Sequence, residues 1–395
     1  MFIIINFYLK YNNNKSFFNE HSDYLFLSSS FCFKNSYQAE FFFKNSFIYN
    51  IYSRFKNPTL DNLKNKISFL EKSEFCIVVS SGMASVVSLM LVFLNSGDNI
   101  ISSRNLFSST LNFFINILIK FNIYIFFISS FNLNLIFNVF LKKSKLVFIE
   151  SPSNPLIEIF DINFLSYLSK KFNKLFIIDN TFCTPISQNP LNLGSDIVIH
   201  SCTKFLDGQS RVLGGALLSN NKFLIKQIFN FLRISGFMLS VFDAWLINKS
   251  IDTLILRLNK QNINSLFFLQ FLKNNIYIYN IFYPSYNLFY KKIFSIQQIL
   301  SGSIISFNLK GFCFELQRIN SWKLLNNLSL VFITPNLGDL KTIITQPSVT
   351  THGSLFFYEK ILITLPDSFL RLSFGIENIN DIIYDFFLIF KNYYI

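Results

Sequence analysis

Charge is scarce in this chain: 14% of its 395 residues are Asp, Glu, Lys or Arg, against 51% hydrophobic. Intrinsic disorder needs the opposite balance, so a packed chain is expected, long enough for one large domain or two to three ordinary ones. Cysteine is scarce too. The five residues at 32, 76, 183, 202 and 313 are odd in number, scattered and without a CxxC pair, which excludes a disulfide scaffold and points to a reducing cytosol. The three histidines, His21, His200 and His352, stand far apart with no ligand spacing, so no metal is expected. Long apolar runs are missing as well, although the mean hydropathy is +0.38. The stretch 121–141 has no charge but carries six dispersed Ser and Asn residues. That is too polar for a spanning helix of about 20 apolar residues. The opening MFIIINFYLK lacks a basic flank and a small-residue cleavage site, so no secretory leader is read there.

What is abundant is Phe, with 53 residues, beside Asn, Ile and Lys. The net charge of +13 comes from Lys spread along the whole chain. No basic stripe with interleaved aromatics appears, so the charge is read as drift in an AT-rich genome and not as a nucleic-acid footprint. The Phe runs 41–43, 126–128 and 386–387 read as core filler.

Three regions, 76–103, 145–160 and 174–218, break this background with Gly, Pro, Asp, Thr and Ser. Short apolar runs bounded by turn residues recur at Cys76–Val79, Asn99–Ile101, Ile123–Ile128, Lys145–Ile149, Leu175–Ile178, Asp196–Ile199 and Gly215–Leu218. Helix-length stretches lie between them at Ala84–Leu94, Thr110–Phe121 and Asn163–Phe172. Strands alternating with helices predict an α/β fold with a mostly parallel sheet. Residues 1–50 read as an arm with a short helix at Ser36–Phe43, and 51–242 as the α/β domain. Residues 243–395 read as a smaller α+β domain. That domain opens with one long helix, Asp243–Leu272, has strands at Gly302–Leu309 and Phe312–Leu316, and closes on a helix from Asn380.

The densest chemistry is HSCTKFLDGQSRVLGG, 200–215. Lys204 follows a buried-looking strand and sits beside Ser201 and Thr203. A lysine in that setting is a Schiff-base candidate, because burial and neighbours lower an amine's pKa. Asp179 closes the apolar strand LFIID, which puts its carboxylate at the strand's C-terminal end, where open α/β sheets bind ligands. A buried carboxylate there needs a cation, and a pyridinium nitrogen is one. The turn SSGMAS, 80–85, opens a helix whose free N–H groups suit an anion.

These motifs, in this order, resemble the Cys/Met metabolism family of pyridoxal phosphate enzymes. That family includes cystathionine synthases and lyases and the homoserine-ester sulfhydrylases. The resemblance extends to YSRFKNPT (52–59), ESPSNP (150–155), IIDNTFCTP (177–185), NLGDLKTIITQPSVTTHG (336–353) and RLSFGIEN (371–378). It implies the aspartate aminotransferase-like fold of type I and pyridoxal 5'-phosphate as cofactor. Lys204 would hold the cofactor and move protons, and Asp179 would face its ring nitrogen. Gly82, Met83, Ser201 and Thr203 would hold its phosphate, Phe107 would stack on the ring, and Asn154 would lie near the ring oxygen. Arg371 would pair the substrate carboxylate, with Asn336 beside it where many relatives have Ser. Tyr52 and Arg54 would reach the phosphate in a neighbouring subunit, which implies shared sites in at least a dimer, a homotetramer being typical. Phe107 in LFSST, and DGQSRVLGG after the lysine, resemble most the enzymes that take O-succinylhomoserine and sulfide to homocysteine and succinate. The acyl group, and sulfide against cysteine as the thiol, stay open. Cystathionine γ-synthase and O-acetylhomoserine sulfhydrylase chemistry are the alternatives within the family. A catalytically decayed scaffold is the alternative outside it.

Overall fold

Alternating apolar runs and helical stretches assemble here into two sheets. The structure, a computed structural model, describes residues 19–311, 314–353 and 365–393. The reading of the opening ten residues, and the cysteine at 313, lie outside them.

The large sheet has seven strands: β1 (Phe75–Val79), β2 (Asn99–Ser103), β3 (Tyr124–Ile128), β4 (Leu146–Glu150), β5 (Leu175–Asp179), β6 (Ile197–Ser201) and β7 (Gly215–Ser219). Their spatial order is β1-β7-β6-β5-β4-β2-β3. All run parallel except β7, which is antiparallel to both β1 and β6. The five residues of β4 are all buried, as a strand covered on both faces must be. One face packs Val147, Ile149 and Ile178 against Leu165 and Leu168 of the helix Ile162–Lys171. The other packs Phe148, Ile177 and Ile199 against Leu89 and Met90 of the helix Gly82–Phe93. All seven predicted strands form, each within a residue or two of its expected bounds.

The second sheet comprises β8 (Ile278–Phe282), β9 (Ile304–Leu309), β10 (Phe332–Ile333), β11 (Ile343–Thr345) and β12 (Phe369–Ser373), in the order β10-β11-β12-β9-β8. It is antiparallel except for the pair β10–β11. Its core holds Phe268, Ile305, Phe307, Leu370, Leu372 and Phe386.

Three local expectations fail. The single long helix 243–272 is two, Val241–Ile251 and Leu254–Lys273. The first helix ends in a tight turn, where the Ser250 carbonyl accepts from the Thr253 N–H at 3.2 Å, and Arg257 Nη2 and the Thr253 hydroxyl also donate to it, at 3.0 Å each. The stretch read as a strand at 312–316 enters the helix Phe314–Asn327, whose Leu, Lys and Gln content favours helix over the short aromatic run. Thr110–Phe121 is broken into an α turn, a π turn and a 3-10 turn rather than one helix. No helix among the described residues is long and apolar enough to cross a membrane.

Candidate active site

Four parallel strands deliver their C-terminal ends to one edge. Glu150 ends β4, Asp179 ends β5 in register beside it, Ser201 ends β6, and the turn after β1 leads into the helix Gly82–Phe93. They line a cavity of about 190 Å3 that also receives Phe107, Asn154, Thr203, Lys204 and Arg371. Nine of the residues singled out in the sequence therefore meet in one place: Gly82, Met83, Phe107, Asn154, Asp179, Ser201, Thr203, Lys204 and Arg371.

The helix start is built for an anion. Ser81 caps it by accepting from the Ala84 N–H at 3.0 Å, which leaves the Gly82 and Met83 N–H groups beyond the reach of helical bonding. Gly82 is glycine because the helix start touches the end of β6: an added Cβ would lie 2.9 Å from the Ser201 Cβ. Gly215 is tighter still, since a Cβ there would meet the Ser81 carbonyl oxygen at 2.3 Å. These contacts hold the cradle of N–H groups against Ser201.

Asp179 is half-buried and lines the cavity. Its Oδ1 accepts from the Thr181 hydroxyl at 2.6 Å and the Thr181 N–H at 3.0 Å. Burial nevertheless pushes its pKa above the usual carboxylate range. No Lys or Arg of the described residues forms an ion pair with it, so the position asks for a cation that the chain does not supply. Thr181, passed over in the sequence, also accepts from the Ser201 N–H at 2.9 Å and ties β5 to β6.

Lys204 stands in a wide helical turn, Cys202–Leu206, directly after β6. Its Nζ donates to Asn336 Oδ1 at 2.7 Å. Burial first, and the Arg371 charge second, lower its pKa to about 8, so a minority of the amine is already neutral near physiological pH. The turn is clamped from below, where Arg257 donates to the Phe205 and Leu206 carbonyls at 2.8 and 3.4 Å.

Arg371 comes from the second sheet, on β12, and is 1% exposed. Its Nη1 donates to Asn154 Oδ1 and its Nη2 to the Asn336 carbonyl, both at 2.8 Å. Its Nε is buried without a partner. Burial lowers its pKa to about 10, opposed by Glu150, so it is a cation at neutral pH. An orphaned N–H on a fixed guanidinium is a receptor for a carboxylate. Asn336 thus faces Lys204 with its side chain and Arg371 with its backbone. Glu150, inside the quoted motif ESPSNP but not picked out, is a buried carboxylate of the site, beside the half-buried Asp179.

Tyr52 and Arg54 lie elsewhere. Both are exposed and line a separate cleft of about 480 Å3 with Ser29 and Met238. A larger cleft of about 650 Å3 runs past Arg54 between β1 and the helix Lys222–Ser235. None of the side chains around Lys204 reaches it. No cluster of metal-ligating residues occurs among the described residues.

The family model for Cys/Met metabolism PLP-dependent enzymes matches residues 7–391. The chain belongs to that family. The O-succinylhomoserine sulfhydrylase of Pseudomonas aeruginosa is 34% identical over 369 residues, covering 92% of this chain and 89% of the relative. An L-methionine gamma-lyase of Fusobacterium nucleatum subsp. polymorphum is 34% identical over 364 residues, covering 91% of each. The solved structure of a provisionally named O-acetylhomoserine (thiol)-lyase from Campylobacter jejuni superposes with a TM-score of 0.92 at 27% identity, covering 98% of this chain and 100% of that one. It carries N'-pyridoxyl-lysine-5'-monophosphate. The fold is therefore fold type I, and the chain is a pyridoxal phosphate-dependent enzyme of sulfur amino-acid metabolism.

The residues of the cavity fit that cofactor. A free helix N-terminus beside Ser201 and Thr203 suits a phosphate, Asp179 lacks a cation, and Lys204 has a lowered pKa. Bound there, pyridoxal phosphate supplies an electron sink for a carbanion at the substrate Cα.

Proposed function

We propose that the protein catalyses γ-replacement on an activated homoserine ester, O-succinylhomoserine plus sulfide giving homocysteine plus succinate, as a step of methionine biosynthesis in the cytoplasm. Arg371 binds the α-carboxylate through its free Nε. Lys204 Nζ takes the proton from Cα and then moves one from Cβ, so that succinate leaves Cγ with its electron pair. Hydrosulfide adds at Cγ, and Lys204 returns the protons. Asn336 holds the amine pointing into the cavity between transfers. Asp179 fixes the cofactor's ring nitrogen, the Gly82 and Met83 N–H groups with Ser201 and Thr203 hold its phosphate, and Phe107 covers its ring.

One observation carries the reading. The two aromatics that line the cavity, Phe107 and Phe182, have no hydroxyl, so Lys204 is left as the basic side chain positioned to relay protons among the described residues. The relatives support a sulfhydrylase and a γ-lyase at equal identity, so product identity must decide between them. Supplying O-succinylhomoserine, O-acetylhomoserine and methionine in turn, with sulfide or cysteine, tests the proposal. Homocysteine from the succinyl ester and sulfide, at the highest kcat/KM of the set, is expected. Release of methanethiol from methionine as the fastest reaction would overturn it, and so would cystathionine as the favoured product.

Tyr52 and Arg54 belong, in this reading, to a neighbour's site within a dimer or a tetramer of such dimers. Their exposure, and their separation from their own chain's Lys204 cavity, support it.

A further inference from the structure

Glu150 is 5% exposed and sits at the end of β4, next to Asp179 in register. Its two oxygens are divided between two loops. Oε2 accepts the Phe107 N–H at 2.7 Å, and Oε1 accepts the Asn154 N–H at 2.8 Å. Asn154 in turn accepts from Arg371 Nη1 at 2.8 Å. One carboxylate therefore bridges the loop that carries the ring-covering aromatic and the loop that orients the buried arginine. Among the described residues, Glu150 and Arg371 form no ion pair, although Glu150 opposes the lowering of the arginine's pKa. Burial, and Asp179 beside it, push the Glu150 pKa well above the usual carboxylate range, and with both of its oxygens engaged by backbone N–H groups it does not cap the guanidinium. The Arg371 Nε stays open.

We infer that Glu150 is a positioning residue that sets two walls of the active site at once, the Phe107 ring face and the Arg371 carboxylate receptor. The inference rests on the proposed roles of Phe107 and Arg371 but not on which ester is the substrate. A carboxylate suits the task because it offers two acceptors a fixed distance apart. An amide offers one, and its NH2 must then face a backbone N–H. Asp179, the neighbouring carboxylate, cannot substitute, since its Oδ1 is taken by Thr181.

The test compares Glu150→Gln with Asn154→Ala, each as apoprotein and as holoenzyme, and uses glycine as an unreactive amino-acid probe. In Glu150→Gln, the glycine Kd of the holoenzyme, read by calorimetry, should rise tenfold or more. The visible circular dichroism of the bound cofactor should change, because Phe107 has moved. Hydrogen exchange across 104–110 and 151–155 should quicken in the apoprotein, where no cofactor contributes. Asn154→Ala should weaken glycine through Arg371 and leave hydrogen exchange across 104–110 as in wild type, because Glu150 still holds the Phe107 N–H. A Glu150→Gln protein that lowers Tm and cofactor content, yet keeps wild-type glycine affinity and dichroism in its loaded fraction, would overturn the inference. Should that variant not fold, Glu150→Asp is too short to reach both loops and must show the same changes. Wild-type holoenzyme that does not bind glycine would instead overturn the reading of the site itself, and the inference with it.

Discussion

Replacing Gly82 by alanine perturbs the phosphate cradle without removing any polar group. The new Cβ would lie 2.9 Å from Ser201 Cβ, 3.0 Å from its Oγ and 3.3 Å from its Cα. The backbone contact cannot be relieved by a rotamer change, so the helix start must move by a few tenths of an ångström. Overpacking of this kind costs about 1–3 kcal/mol. In the apoprotein the helix start can back away from β6. In the loaded protein it must return for the Gly82 and Met83 N–H groups to meet the phosphate, so the strain is expressed in cofactor affinity. At 1.4 kcal/mol per factor of ten, the Kd for pyridoxal phosphate should rise about 5- to 150-fold. Titrating apoprotein with pyridoxal phosphate and following the visible absorbance measures it. Gly97→Ala is the control: its φ is +88° and nothing lies within 4 Å of an added Cβ. It should lose about 1–2 kcal/mol of stability through backbone strain and keep wild-type cofactor affinity. A Gly82→Ala protein with unchanged Kd would refute the placement of the phosphate at this helix.

Three further outcomes are expected. The lowered Lys204 pKa of about 8 means that the neutral, nucleophilic amine accumulates as pH rises through 8, so the rate of reloading apoprotein should climb and level near there; a rate still climbing at the ordinary lysine value of 10.5 contradicts this. Mixing Arg54→Ala and Lys204→Ala chains by co-refolding should restore part of the activity that each lacks; no recovery in mixed oligomers would place the whole site in one chain. Phe148→Ala empties a site in β4 that is 0% exposed, and should cost about 3–5 kcal/mol in urea unfolding; a loss under about 1 kcal/mol would mean that the core there collapses to fill the gap.

The site and its sheet were legible in the sequence for local reasons. Strands such as LFIID are apolar runs stopped by a polar residue, and the stop is itself a group that lines the cavity, Asp179. Lys204 and the SSGMAS turn announce themselves in the same way. What stayed hidden depends on residues distant in sequence. Glu150 closes its strand just as Asp179 does, but its meaning comes from Phe107, 43 residues earlier. Asn336 stood in the motif as a neighbour of the substrate carboxylate, yet its side chain meets Lys204 across 132 residues. The division of the helix near 252 was equally invisible, because one of the groups that take up the Ser250 carbonyl is the side chain of Arg257, whose other hydrogen bonds clamp the lysine turn. Apolar periodicity continues straight through that break. At 312–316, a short aromatic run read as strand gave way to the helix formers that follow it.

In the proposed mechanism Lys204 is the group through which this enzyme holds its cofactor and moves protons. Reducing the holoenzyme with borohydride and mapping its peptides identifies the lysine bound to the cofactor. A pyridoxyl adduct is expected on the peptide carrying Lys204, with loss of both adduct and turnover in Lys204→Ala. An adduct on another lysine in active enzyme, or turnover that survives Lys204→Ala, would contradict it.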